Sequence, residues 1–120
     1  MDDFRRTARY RARNSLVHIR WHDRGIPNLT QGRLVDIGSG GVLVMANAAV
    51  EVGKQVSLSL ADGTQHELIE ATVVGVDEVV GLSLERWKAY KVRLAFRDPC
   101  PDEFMKVTVD DFLPSLRSRT

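Results

Sequence analysis

From Ser15 onward, apolar and polar residues alternate with the two-residue period of strands that bury one face and expose the other. Val17, Ile19 and Trp21 share one face of a first strand, with Leu16, His18 and Arg20 on the opposite face. The segment Asp23-Arg24-Gly25-Ile26-Pro27-Asn28 is rich in turn formers and reads as a connection, after which Gly32 to Ile37 forms a second strand. Val42-Leu43-Val44-Met45 is apolar throughout, the pattern of a strand covered on both faces. Val56-Ser57-Leu58-Ser59-Leu60 alternates strictly and ends at Asp62-Gly63, a strong hairpin-turn pair. The chain returns from Glu67 to Val76 with Ile69, Ala71 and Val73 on one face, and Asp77-Glu78 is read as the next turn. Val80 to Glu85 gives a further short strand, and Tyr90, Val92, Leu94 and Phe96 mark the apolar face of the last. Six or seven short strands separated by frequent turns predict a mainly β chain closed into an antiparallel barrel.

The period changes near the end. Met105, Val109, Phe112, Leu113 and Leu116 recur at helical spacing after Pro101-Asp102-Glu103, which places two acids in a first helical turn. A helix over about 101–116 is expected to cover one barrel mouth. The β-branched run Val107-Thr108-Val109 weakens it, and Pro114 ends or kinks it. Residues 1–14 lack any clean period and read as a flexible arginine-rich tail, with the barrel domain over 15–120.

A chain of 120 residues, 43% hydrophobic and 28% charged, holds one core and leaves little room for a second. The formal net charge is only +1, which argues against binding a long polyanion, but the first 24 residues carry seven arginines against three aspartates. Positive charge is therefore local, which suits a small anion. Cys100 is the only cysteine, so no intrachain disulfide can form. No apolar stretch is long enough for a membrane span or a signal peptide core, so a cytoplasmic location is expected.

Two segments carry candidate chemistry: Arg5-Arg6-Thr7-Ala8-Arg9-Tyr10-Arg11-Ala12-Arg13, and Asp36-Ile37-Gly38-Ser39-Gly40-Gly41. Guanidinium groups offer forked donors to phosphate oxygens and to the O6/N7 edge of guanine, and their planes stack on bases. An aspartate accepts from the opposite guanine edge, and consecutive Gly/Ser amides can form an anion-binding nest. Together they describe a receptor for a phosphate-bearing purine.

Arg-x-x-x-Arg followed by a strand and then by Asp-x-Ser-x-x-Gly on a six-stranded barrel is the pattern of the PilZ domain, and this chain resembles that family. The resemblance implies a PilZ-like barrel that binds the bacterial second messenger cyclic di-GMP, performs no enzymatic step, and signals to a downstream partner protein as its tail orders on the ligand. It maps the first motif onto Arg9 and Arg13, with Arg5 and Arg9 as the other possible register. It maps the second onto Asp36, Gly38 and Gly41, with Gly38 standing where the family usually has serine. Ser39, one position later, can replace that hydroxyl only through a local bulge or turn, because neighbours in a strand face opposite ways. Arg5, Arg6, Arg11 and Gly40 are possible additional contacts. No cofactor is expected beyond the nucleotide ligand.

Two other readings stay open on sequence: a family member that has lost the nucleotide and serves as an interaction adaptor, and a small barrel binding single-stranded RNA through its arginines. Near-neutral total charge and the lack of an aromatic stacking row weigh against the second. His18 and His22, four apart on a strand, are separated by about 13 Å, too far for one metal. Cys100, His66, Trp87 and the pair Asp110-Asp111 are read as structural or surface residues, so no catalytic or metal site is expected.

Overall fold

The structure, a computed structural model, describes residues 9–62, 68–79 and 89–109. Seven strands and one helix follow in order: β1 (Arg9–Arg11), β2 (Leu16–Asp23), β3 (Ile26–Gly38), β4 (Gly41–Ala46), β5 (Gln55–Leu60), β6 (Ile69–Val79), β7 (Ala89–Phe96) and α1 (Asp102–Thr108). All pairings are antiparallel. The order β3-β2-β5-β6-β7-β4 returns to β3 through the β3–β4 pairing, so six strands close a barrel and β1 adds a seventh along β3.

Closure follows from the alternation. Val17 and Ile19 of β2, Leu34 and Ile37 of β3, Val42 and Val44 of β4, Val56 and Leu58 of β5, Ala71 and Val73 of β6, and Val92 and Leu94 of β7 are all buried in one cluster. Each Val, Leu or Ile among them contributes on the order of 1.5–3 kcal/mol by leaving water. Helix α1 adds Phe104 and Met105 to the same cluster, followed by Val109. Pro101 is its N-cap, Asp102 and Glu103 lie in its first turn and Lys106 in its last, an arrangement that suits the helix dipole.

Two bulges set which residues face outward. In β3 the register passes from Leu34↔Val44 to Asp36↔Leu43, so Val35 is the extra residue. Leu34 and Ile37 both remain buried, whereas Arg33 and Asp36, three apart, both come to the outer wall. In β6 the shift lies between Val73 and Gly75. A Cβ at Gly75 would stand 2.5 Å from Arg93 Nη2, so the missing side chain lets Arg93 lie across the strand on its way to Asp77, 3.2 Å away.

Several expectations are corrected. The turn read over Asp23–Asn28 is only Arg24-Gly25, both with positive φ as a two-residue hairpin turn requires, and β3 already begins at Ile26. Asp77-Glu78 is not a turn: β6 continues to Val79 because Asp77 pairs with Lys91 and Glu78 with Tyr90. The hairpin turn expected at Asp62-Gly63 includes Gly63, which lies outside the described residues. The helix stops at Thr108, with Val109 extended, where β-branched residues accumulate. The segment expected as a tail through residue 14 enters the sheet at Arg9. The strand expected at Val80–Glu85, and Phe112, Leu113, Pro114 and Leu116, lie outside the described residues, as do His66, Trp87 and Asp110-Asp111.

Candidate ligand site

Strand β1 is held by backbone geometry. Arg9 pairs with Gly38, Tyr10 with Ile37 and Arg11 with Asp36. Directly opposed residues share a face, so Tyr10 packs inward against the core while Arg9 and Arg11 stand on the outer wall with Asp36. The Ala12 N–H donates to Val35 O at 3.1 Å, the Arg13 N–H to Thr108 O at 2.7 Å, and the Leu34 N–H to Ser15 O at 3.0 Å. The chain thus follows one side of β3 through β1, kinks at Arg13–Ser15, and continues as β2.

Arg9 crosses the position opposite it. Its Nη2 pairs with Asp36 Oδ1 and its Nη1 donates to Gly41 O at 3.4 Å, so one guanidinium touches both the first and the last residue of Asp36-x-Gly38-x-x-Gly41. Both partners keep about a third of their side-chain surface in solvent (33% and 34%), so the pair is worth at most about 1 kcal/mol to the fold. It positions charge more than it stabilises.

The turn at Ser39-Gly40 is tied down from the other side. Ser39 O accepts from the Cys100 N–H and Gly40 O from the Phe96 N–H, each at 2.9 Å. Gly41 has a separate, steric reason to be glycine: a Cβ there would lie 2.5 Å from Leu94 O, where β4 runs against β7. At Gly40 a Cβ would meet nothing within 4 Å.

The arginine strand and the wall beside it enclose an open cavity of about 570 Å³, whose lining includes Arg9, Arg11, Arg33, Val35, Asp36 and Met45. The β1–β3 register brings Arg9, Arg11, Asp36 and Gly38 together, and the Arg13 N–H is bonded to Thr108 O at the kink. Arg5 and Arg6 lie outside the described residues. Arg33, Val35 and Met45 were not singled out on sequence; only the unforeseen bulge at Val35 puts Arg33 on the same face as Asp36. A larger cavity of about 760 Å³, bordered by Arg20, Trp21, His22, Lys54 and Glu70, contains none of the motif residues. Among the described residues no cluster of His, Cys, Asp and Glu could hold a metal, and no helix is long and apolar enough to cross a membrane.

The chain is thus an antiparallel barrel with a cation-lined cavity on its outer wall. The sequence matches the PilZ domain over residues 3–109, and the chain belongs to that family. Solved structures agree on the fold. The K. pneumonia MrkH–c-di-GMP complex superposes with a TM-score of 0.58 at 20% identity, covering 95% of this chain and 52% of MrkH. MrkH in its apo state gives 0.60 at 17% identity, over 94% of this chain and 51% of that one. The PilZ domain of Escherichia coli YcgR with c-di-GMP gives 0.52 at 15% identity, over 95% and 83%. The chain spans about half the length of MrkH. No curated protein matches it in sequence.

Proposed function

We propose that the protein is a cyclic di-GMP receptor that signals through its arginine segment to a partner protein. The observation that carries this reading is the Arg9–Asp36 contact. The β1–β3 register sets Arg9 opposite Gly38 and Arg11 opposite Asp36, and Arg9, Arg11 and Asp36 line a cavity with several cations and one carboxylate, which supports the reading. The YcgR PilZ domain and MrkH, whose folds this chain shares, were both solved with c-di-GMP, which supports the choice of ligand.

The chemistry divides between the two motifs. The dinucleotide carries two phosphates and two guanines. Arg9 and Arg13 supply forked donors to phosphate or to the guanine O6/N7 edge, and Asp36 accepts from guanine N–H groups. To do so, Asp36 and Arg9 exchange their mutual bond for bonds to the ligand, with Arg11, Ser39 and the amides of Gly38, Gly40 and Gly41 as neighbouring donors. Arg5 and Arg6 join the ligand from the N-terminal side, and this change in order and surface is what a partner reads. The ligand shifts that equilibrium only by its differential affinity for the two states.

Isothermal calorimetry with cyclic di-GMP tests the reading. The intact chain is expected to bind one ligand or a stacked pair at micromolar concentrations or below, with Arg9→Ala and Asp36→Ala strongly weakened. No heat with the intact chain at tens of micromolar ligand overturns it.

A further inference from the structure

Arg33 is outside both motifs, yet it lines the same cavity as Arg9, Arg11 and Asp36. Its position is a consequence of the β3 bulge. Regular alternation would put residues 33 and 36 on opposite faces; the extra residue Val35 restores both to the outer wall, with Leu34 and Ile37 still buried beneath them. Across the sheet Arg33 pairs with Met45 of β4, and across the other edge with Leu16 of β2, so its backbone is fixed on both sides. Its guanidinium donates to the Asn14 side-chain oxygen at 3.1 Å. That partner is a neutral amide, so the bond orients the side chain without neutralising it.

We infer that Arg33 is a ligand-contacting residue of this site: a phosphate-binding cation supplied by the barrel wall, held by Asn14, facing the arginines of β1 across the cavity. This rests on the cyclic di-GMP reading. The physical reason is that two phosphates held in one ring need cations on more than one side. β1 supplies Arg9 and Arg11 on one side, and Arg33 is a cation of the barrel wall lining the same cavity. A guanidinium on a doubly paired strand loses less conformational freedom on binding than one on a terminal segment, so it contributes affinity at lower entropic cost. Val35 and Met45, beside it on the wall, offer an apolar surface for a base face while Arg33 takes the charge.

Calorimetry on four chains decides it: the intact protein, Arg33→Ala, Arg33→Lys and Asn14→Ala, each checked by thermal melting for an unchanged fold. Arg33→Ala is expected to weaken cyclic di-GMP about tenfold or more, as loss of a charge-assisted hydrogen bond does. Arg33→Lys, which keeps the charge but not the fork, recovers part of that loss. Asn14→Ala, which only frees the arginine, is expected to cost roughly threefold. If the intact chain binds and Arg33→Ala binds within about twofold of it, the assignment of Arg33 is wrong while the receptor reading stands. If the intact chain does not bind, both fall together.

Discussion

The Arg9 guanidinium pairs with the Asp36 carboxylate, and the same group donates to the Gly41 carbonyl. Two sequence motifs that begin 27 residues apart are thereby joined through a single side chain.

The pair's partial exposure separates its two roles. Arg9→Ala and Asp36→Ala are each expected to change unfolding free energy by no more than about 1 kcal/mol, because an exposed ion pair contributes little to stability. Their effect on cyclic di-GMP affinity is expected to be tenfold or greater, since each removes a charge-assisted contact. Denaturant titration and calorimetry on the same samples check both halves.

Gly38→Ser returns the hydroxyl usual at this position in the family. A side chain there falls on the face occupied by Arg9, so it competes with the Arg9–Asp36 contact in the free protein and offers a hydrogen bond in the complex. Both effects favour binding, and an affinity gain of up to about tenfold is expected by calorimetry, the scale of one neutral hydrogen bond. Unchanged or weaker binding contradicts this.

Gly41→Ala separates a steric need from ligand chemistry. Its Cβ meets a backbone carbonyl, Leu94 O, at 2.5 Å, and a β4–β7 ladder cannot yield as a flexible side chain would. Destabilisation of about 1–3 kcal/mol is expected in urea unfolding, in line with overpacking elsewhere. Gly40→Ala, with nothing within 4 Å of its Cβ, is expected to leave the midpoint nearly unchanged.

At Arg13 the main-chain N–H ties the segment to Thr108, and the proposed site uses the side chain. Arg13→Ala keeps that N–H and is expected to lose cyclic di-GMP affinity in calorimetry. Arg13→Pro removes the donor and is expected to lower the melting temperature as well.

The barrel was legible because its core obeys a simple period: Val17 with Ile19, and Val56 with Leu58, alternate in sequence and are buried in the fold. What was missed depends on pairing between distant segments. Asp77-Glu78 has the composition of a turn, but β7 supplies ladder partners that override it. Arg9-Tyr10-Arg11 shows no apolar alternation and becomes a strand only because β3 extends past β2 and offers an unused edge. Of the candidate site, the letters Arg9, Asp36 and Gly41 stand out in the sequence, and a single guanidinium joins them in the fold. Arg33 was not legible, because a one-residue bulge leaves no mark in composition.

Strand β1 has one further consequence. Six strands close on one another, and β1, paired with β3, lies outside that ring. Open edges recruit other chains, and proteins commonly guard them with short length and charge. Three residues, two of them arginine, do both. Replacing Arg9 and Arg11 together with β-branched apolar residues is therefore expected to promote edge-to-edge association, read by light scattering.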